Sequence, residues 1–404
     1  AQLGTEAMGA ISITYPLITL IPGIGLLIGN GSSAFISRLL GSNKQDKAEV
    51  VLSSTIVYAV VIGVLIQGVL FFLPEVLTFL GASENVLPYA LEYSEILFIS
   101  FIFHIPSVCL MNLVRAEGAI GLSTASQLVG AILNIILDPI FIFTLNMGIK
   151  GAAIATSIAQ FVAFAMLISY YIFDRSLLKF SIKKVNIKKW ILIPILQIGI
   201  PLFAINLFQS VSLGLANKFA SFHGDASVAA LGIVNRVIGM STFAITGFSR
   251  GYQTFTSYNY GANNMERVRE GTKTAISWSL IGAIILSLVQ IVFAGNIVNA
   301  FSDSAIVISK ASQAMFAGSI FFGTYGFQAI GVIYLLCIGK NKAGFIFSIA
   351  RQGLLFIPCI LAMNYWMGEV GIFYAQGVTD IITTILLIVY LRVWEGIGSG
   401  DLGS

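Results

Sequence analysis

Charged side chains are scarce in this sequence. Of its 404 residues, 10% are Asp, Glu, Lys or Arg and 57% are hydrophobic, whereas soluble domains usually carry about 25% charged residues. A chain with so little charge could not cover its surface in water, and lipid is the solvent that removes this difficulty. The shortage of charge therefore predicts a membrane protein. The net charge of +4, with no basic tract interleaved with aromatics, gives no reason to expect a nucleic-acid partner.

Cysteine and histidine are also rare. The three cysteines, Cys109, Cys337 and Cys359, lie in apolar stretches and form no CxxC pair, which is typical of small core residues. Two histidines, His104 and His223, are too few for a histidine-rich metal site. The sequence also lacks the GxSxG, HExxH and P-loop motifs of common hydrolases and nucleotide-binding enzymes. We therefore expect neither a resident cofactor nor an enzymatic activity.

Long apolar runs make up most of the chain. A helix that crosses the hydrocarbon core of ~30 Å needs ~20 predominantly apolar residues. Eleven segments meet this requirement: 9–37, 48–73, 88–115, 122–145, 151–173, 190–219, 226–255, 268–299, 308–338, 343–364 and 370–393. The pattern predicts an all-α membrane protein that crosses the bilayer many times.

The connections between these segments alternate in charge. Basic residues collect in or beside 38–47, 116–121, 174–189, 256–267 and 339–342, which would share one side of the membrane. Since cytoplasmic loops carry an excess of Lys and Arg, this side is predicted to be cytoplasmic. We expect a monomer in a bacterial cytoplasmic (inner) membrane, with both termini in the cytoplasm. The longest connection, 174–189, mixes basic and apolar residues and is typical of an interfacial linker, with a regulatory role left open.

The sequence repeats itself at one constant offset, the distance along the chain from Gly4 to Gly224. In the first block, Gly4, Ala10, Ile13, Ile18, Gly31, Phe35, Ser37, Gly41 and Asn43 match Gly224, Ala230, Ile233, Ile238, Gly251, Phe255, Ser257, Gly261 and Asn263. In the second block, Met147, Gly148, Gly151, Ala155, Leu167, Ile168 and Tyr170 match Met367, Gly368, Gly371, Ala375, Leu387, Ile388 and Tyr390. The repeat predicts an N-lobe over 1–173, a linker over 174–189 and a C-lobe over 190–394, with 395–404 as a tail or appended remnant.

The two halves are unequal in helix number. The C-lobe opens with the helix at 190–219, whose counterpart at the repeat offset would lie at about −30 to −1, before Ala1. We therefore expect two six-helix lobes, with the first helix of the N-lobe missing from this chain. Because six is even, both lobes would have the same orientation, as in parallel-repeat transporters.

Four ionisable residues lie deep in the predicted spans: Asp138, Arg236, Arg351 and Asp380. Each costs roughly 2.5–3.5 kcal/mol on insertion scales and so needs a reason. Asn134 lies one turn before Asp138, and Pro139 leaves a backbone carbonyl near residue 135 without its partner. These oxygens could hold a proton or a small alkali cation. The alternative, a hydrogen bond that only joins two helices, stays open.

The other three ionisable residues favour an ion pair or network. Arg236 and Arg351 with Asp380 could form a buried group, for which structural and functional roles are equally plausible. His104 is a lone histidine on an apolar helix, typical of a packed residue rather than a proton relay. Several large side chains could line a cavity, although packing is the commoner role: Tyr15, Tyr93, Phe208, Met240, Phe243 and Tyr258.

The sequence resembles the multidrug and toxic compound extrusion (MATE) family, and in particular its MepA-like branch. In the first half the resemblance rests on GTEAMGA (4–10), RAEG (115–118), NIILDPIFIF (134–143) and GIKGAAIAT (148–156). In the second half it rests on GIVNR (232–236), SYNYGA (257–262) and RQGLLFIP (351–358). It covers nearly the whole chain short of the tail, and the combination is specific although each piece alone is not.

The resemblance implies two six-helix lobes around a central cavity that opens alternately to each side. It implies export of amphipathic, often cationic, drug-like molecules in exchange for H⁺ or Na⁺. Asp138, Asn134 and Thr156 match a cation site in the N-lobe, which a first-helix aspartate, here before Ala1, normally completes. The residues proposed to line the substrate cavity are Arg236, Arg351, Asp380, Tyr93, Gln209 and Met240.

The C-lobe departs from the family pattern. Some members carry a glutamate on helix seven and an aspartate on helix ten, and the corresponding places here are Gln209 and Phe327–Gln328. A C-lobe sodium site of that kind is therefore not expected.

Two other functions stay open. A lipid-linked oligosaccharide flippase would need more central Arg and Lys, and an intramembrane enzyme would need convergent catalytic groups.

Overall fold

The computed structural model describes residues 5–395, and the regular structure in this range is helical. The first seven α-helices are α1 (Thr5–Gly41), α2 (Gln45–Leu65), α3 (Leu73–Phe79), α4 (Leu87–Ala116), α5 (Ile120–Pro139), α6 (Gly148–Ile172) and α7 (Lys189–Ser221). The remaining eight are α8 (Asp225–Gly261), α9 (Met265–Val292), α10 (Ala294–Asn299), α11 (Ala305–Ser319), α12 (Tyr325–Cys337), α13 (Asn341–Ile349), α14 (Phe356–Met367) and α15 (Glu369–Glu395).

Within the described residues, eleven helical segments are long and apolar enough to cross a membrane. They correspond one by one to the eleven segments expected from hydropathy, and the predicted all-α membrane fold is confirmed. Several predicted spans contain interruptions, and two in the second half contain a 3₁₀ or a π-turn. The segment at 308–338 is divided into α11 and α12 by a 3₁₀ turn at Phe322–Thr324, and the segment at 343–364 contains a π-turn at Ala350–Leu354. The predicted tail at 395–404 lies outside the described residues apart from Glu395.

The helices follow the sequence repeat. The two ends of α1, Thr5 and Gly41, correspond at the repeat offset to the two ends of α8, Asp225 and Gly261. Directly after these helices, Asn43 and Asn263 both adopt a left-handed backbone, with φ of 56° and 60°. Asn and Gly are the residues that adopt a left-handed backbone most readily. The same residue type thus follows the same helix in both halves.

The last helix of each half begins in a matching way. Gly148 and Gly368, at the starts of α6 and α15, have left-handed φ values of 55° and 58°. Glycine adopts this backbone without the steric cost that a Cβ would add. The repeat in sequence is therefore also a repeat in backbone conformation.

The chain divides into two compact units, Ala1–Phe203 and Ala204–Ser404. The division falls within α7 and not in the linker at 174–189, so the predicted lobe boundaries stay a prediction. The first half of α7 belongs to the first unit because its backbone lies very close to α1. A Cβ on Gly31 would lie 2.0 Å from the Ile195 carbonyl oxygen, and one on Gly199 would lie 2.2 Å from that of Leu27.

In the first unit, α4 packs against α1, α2 and α6. Its buried face includes Phe98, Phe101 and Leu110. Gly25 and Gly29 of α1, one turn apart, admit the α4 backbone, since a Cβ on either would lie about 3 Å from it. Helices in lipid gain little from the hydrophobic effect, and close backbone approach at small residues is a common alternative.

In the second unit, α8 packs against α9, α11 and α12, while α15 packs against α14 and α11. The start of α15 reproduces a contact of the first unit. A Cβ on Gly371 would lie 2.0 Å from the Met363 carbonyl oxygen, and one on its repeat counterpart Gly151 would lie 2.7 Å from that of Phe141. The glycine thus sets the close approach of the last helix to its predecessor in both units.

Candidate functional site

The face of α5 that carries the predicted cation site has a helical spacing. Gln127, Ala131, Asn134 and Asp138 follow one another at intervals of four, three and four residues, which places them along one side of the helix. α5 ends at Pro139, and a π-turn at Ile140–Thr144 leads the chain toward α6. Since π-turns in helices are frequent at functional positions, the local break is consistent with a site here.

The structure brings the three predicted residues together. The Asn134 side-chain nitrogen lies 3.1 Å from Asp138 Oδ1 and 3.3 Å from Thr156 Oγ1, which joins α5 to α6. All three side chains are half-buried. Tyr93 of α4 is buried and lies close enough to interact electrostatically with Asp138. The predicted grouping is therefore present, whereas its role as a cation site stays a prediction.

The chemistry of this group suits a monovalent ion. The Asn134 amide nitrogen now donates to the Asp138 carboxylate; rotation of the amide by half a turn would present its oxygen instead. Carboxylate, amide and hydroxyl oxygens would then face one point, as hard cations require. Among residues 5–395 no group of three or more His, Cys, Asp or Glu side chains is arranged to hold a metal ion. A single carboxylate is better matched to H⁺ or Na⁺ than to a divalent ion.

A cavity of about 310 Å³ adjoins the site between α4, α5 and α6. Asn134 and Thr156 line one part of it, and Gln127, Gln160 and His104 line other parts. His104 stacks on a phenylalanine, and its buried Nδ1 has no hydrogen-bond partner among the residues that the structure describes. Sequence reasoning missed Gln127 and Gln160. The signal was available, because Gln127 shares the Asp138 face of α5 and Gln160 follows Thr156 by one helical turn.

In the second unit, Arg351 and Asp380 form a bidentate ion pair. Arg351 Nε lies 2.8 Å from Asp380 Oδ1, and its NH2 nitrogen lies 3.0 Å from Oδ2. The Gln376 amide also donates to Oδ1 at 2.8 Å, and the Arg351 guanidinium carbon lies 4.3 Å from the centre of the Tyr325 ring. Asp380 is 1% exposed. The predicted pairing of these two residues is confirmed.

The third member of that predicted network lies elsewhere. Within the described residues, Arg236 is exposed on α8 and does not line the cavity of about 170 Å³ that includes Gln209, Arg351 and Gln376. Met240 follows Arg236 by one turn and is 69% exposed. The expected network of three is therefore a pair. Their placement on α8 follows from the register of that helix, which the residue types alone did not reveal.

The other predicted residues divide between packing and exposure. Of the aromatics, Tyr15, Phe243 and Tyr258 are exposed, whereas Phe208 packs against Gly353. Gln328 lies in the place where some family members carry the C-lobe aspartate. It is buried and donates to the Asp380 carbonyl oxygen at 2.8 Å and to the Thr384 hydroxyl at 2.9 Å. An amide held in this way contributes no negative charge for a cation.

Two repeated helical units, with polar groups on helices long and apolar enough to cross a membrane, are typical of an integral membrane transporter. The MatE family model matches residues 1–140 and 201–362, which is more than half of the chain. The chain belongs to the MATE family.

Curated relatives agree with this assignment. The chain is 28% identical to the multidrug export protein MepA of Staphylococcus saprophyticus and 30% identical to that of Staphylococcus haemolyticus. Each alignment covers 96% of this chain and 86% of the relative. A crystal structure of a MATE protein in complex with MaL6 is 21% identical, with a TM-score of 0.93 over 98% of this chain and 90% of that one.

The family confirms several predictions made from sequence. The resemblance to MATE proteins of the MepA-like branch, the fold class and the assignment as a transporter and not an enzyme are all confirmed. The intramembrane enzyme is therefore set aside. The chain is a multi-pass membrane protein that handles small molecules.

Proposed function

We propose that this chain exports amphipathic or cationic drug-like molecules in exchange for H⁺ or Na⁺, with Asp138 as the carboxylate that takes the coupling ion. The convergence of Asp138, Asn134 and Thr156 across two helices is the observation that supports this role. The names of the curated relatives, multidrug export proteins, support the substrate class. The adjoining cavity offers apolar walls with a few polar groups, which suits such molecules.

Coupling requires that ion and substrate favour different states of the transporter. An ion at Asp138 shifts the balance between states only by its difference in affinity for them. Binding neutralises the carboxylate, and insertion scales place its charge at roughly 2.5–3.5 kcal/mol at the membrane centre. A difference of this size between two states, with the charge buried in one and hydrated in the other, would change their relative populations by about a hundredfold. The rotation of Asn134 described above would accompany each binding event.

The cellular setting is part of the same proposal. The basic connections support a bacterial cytoplasmic membrane with cytoplasmic termini, and we propose a monomer. The flippase alternative is less well supported, because the charge of Arg351 is matched by Asp380 and leaves little for a lipid phosphate. The lipid bilayer is the surrounding medium, and the coupling ion is cargo rather than a cofactor.

The test is Asp138→Asn in reconstituted proteoliposomes with an imposed H⁺ or Na⁺ gradient, applied separately. We expect gradient-driven drug movement to fall to background for the ion that is coupled, because an amide cannot exchange a proton and binds a cation weakly. Gradient-driven movement at the wild-type rate would rule out Asp138 as the ion carrier. The gradient that drives the wild-type protein identifies the ion.

A matched control is Asp303→Asn, the same chemical change at an exposed position outside the spans. It should transport at the wild-type rate. Thr156→Val, which keeps the shape and removes the hydroxyl, should weaken apparent ion affinity by about fivefold to tenfold, in line with roughly 1–1.5 kcal/mol for one hydrogen-bonding group.

A further inference from the structure

The connection between α6 and α7, residues 174–189, lies along α2 and is held there by hydrogen bonds. We call it the strap. Ser53 accepts from the Ser181 backbone nitrogen at 3.0 Å, and Ser54 accepts from that of Asn186 at 2.9 Å. Tyr58 donates to the Asn186 carbonyl oxygen. The strap is therefore an ordered part of the first unit, although most of it lacks regular secondary structure.

Two buried or half-buried carboxylates fix its first half. Glu117 accepts from the Ser176 hydroxyl at 2.6 Å, from the Leu177 backbone nitrogen at 2.9 Å and from the Tyr171 hydroxyl at 2.9 Å. Burial raises the pKa of the Glu117 carboxyl, and these hydrogen bonds oppose that shift. Glu49 accepts from the Lys179 backbone nitrogen at 3.2 Å and pairs with the Lys184 ammonium, a hydrogen bond that raises the pKa of Lys184.

These contacts involve one side of the strap, and the other side faces away from the protein. The outward side is both apolar and basic. Phe180 is 41% exposed, Ile182 73% and Ile187 75%. The exposed basic residues are Arg175, Lys179, Lys183, Lys188 and Lys189. The strap has six basic residues and one acidic residue, Asp174.

The position of the strap matches the membrane interface. The span that begins with α2 runs from Gln45 to Phe79, 35 residues. At 1.5 Å per residue this is ~50 Å, about 20 Å longer than the hydrocarbon core. Most polar residues of α2, among them Glu49 and Ser53, fall within its first three turns, so we expect that end at headgroup depth. The strap covers this polar end and lies beside it.

We propose that the strap binds anionic phospholipid headgroups, with Phe180, Ile182 and Ile187 inserted among the acyl chain ends and the lysines against the phosphates. Apolar residues beside Lys and Arg at an interface favour this arrangement, because long basic side chains reach outward while apolar ones enter the boundary. Each basic residue near an anionic surface strengthens binding about fivefold, which corresponds to roughly 1 kcal/mol. The positive charge of the strap matches the negative charge of an anionic headgroup, so we infer an anionic lipid rather than a zwitterionic one as the partner.

Trp190, directly after the strap and 39% exposed, provides a local readout. In a W278F/W366F/W394F background it would be the one tryptophan left of the four. The protein is reconstituted in phosphatidylcholine, and brominated phosphatidylglycerol or brominated phosphatidylcholine is titrated in while Trp190 quenching is measured. We expect quenching by the anionic lipid at lower mole fractions. K183Q/K188Q/K189Q should reduce this preference at least about tenfold, since each lysine contributes about fivefold.

The control is R267Q/R269Q/K342Q, which removes three exposed basic residues from the first turns of α9 and α13 in the second unit. It should keep the preference of the parent protein. Equal quenching of the parent by both lipids, or an unchanged preference in the strap variant, would overturn the proposal. If the strap variant does not fold, the parent protein alone still tests the proposal. Raising the salt concentration from about 50 mM to about 500 mM should weaken its preference for the anionic lipid, because salt screens the charges. A preference unaffected by salt would also overturn the proposal.

Discussion

The two units place different residues at matching positions of the repeat. Ala131 and Gln160 of the first unit are the repeat counterparts of Arg351 and Asp380 of the second. In the first unit the small and neutral residues line a cavity of about 310 Å³. In the second unit the larger, charged residues bond to each other beside a cavity of about 170 Å³. One scaffold thus supports an accessible carboxylate in one half and a fully bonded one in the other.

The helix breaks differ in the same way. The π-turn of the first unit, Ile140–Thr144, follows Pro139 and comes after the acidic residue. The π-turn of the second unit, Ala350–Leu354, comes before Pro358 and contains Arg351. Pro358 itself stands where the repeat would place a counterpart of Asp138. The second unit could therefore not reproduce the cation site without both a different residue and a different break.

The largest expected effect tests whether the Arg351–Asp380 pair is structural. Arg351→Met leaves a buried, unpaired carboxylate and should lower the free energy of unfolding by about 3–5 kcal/mol, whereas R351M/D380L should recover most of that loss. Asp138→Asn, at a half-buried position with one partner, should cost about 1 kcal/mol or less. Chemical unfolding in detergent micelles measures all three. A cost for R351M no greater than that for D138N would remove the proposed difference between the units.

A second test concerns backbone approach at a repeated glycine. A Cβ on Gly31 would meet the Ile195 carbonyl oxygen at 2.0 Å, while around its counterpart Gly251 the described residues leave open space. Gly31→Ala should destabilise by about 1–3 kcal/mol through overpacking, and Gly251→Ala should be neutral or stabilising by up to about 1 kcal/mol. Thermal unfolding of the matched pair measures both. An equal cost at Gly251 would show that another segment packs there.

The smallest effect concerns two ion pairs, one in each unit, in which the acidic and basic residues occur in opposite order along the chain. Glu92 of α4 pairs with Lys150 of α6, and Lys310 of α11 pairs with Glu369 of α15. The first pair is more exposed: the side chains of Lys150 and Glu92 are 53% and 31% accessible, whereas those of Lys310 and Glu369 are 25% and 23% accessible. Lys150→Gln should therefore change stability by at most about 0.5 kcal/mol.

Lys310→Gln should cost about 1 kcal/mol, because Lys310 also donates to the Ser227 hydroxyl, at 2.8 Å, and its hydrogen bonds are charge-assisted. Unfolding at about 0.05 M and about 0.5 M salt measures the difference, since the exposed pair is screened more strongly. A larger loss for Lys150→Gln would reverse the ranking of the two pairs.

Much of the candidate site could be predicted because it is local. Asn134 and Asp138 share a helix, so their spacing placed them on one face before any packing was known. Thr156 entered through the family resemblance rather than by spacing, because it lies on another helix. Arg236 was wrongly grouped with Arg351 and Asp380, since depth in a span does not determine which way a side chain faces. Gln127 and Gln160 were missed although helical spacing could have found them.

The sequence by itself determined that the protein lies in lipid, how many apolar helices the described residues form, and the internal repeat that matches Asn43 to Asn263. Each depends on composition or on neighbours along the chain, where hydropathy and backbone sterics act directly. The tertiary structure alone decided that Asp380 is bonded to Arg351, that Asn134 and Thr156 line a cavity and that α7 lies against α1 at Gly31 and Gly199. Those outcomes depend on helix rotation and separation, which the packing of distant residues sets.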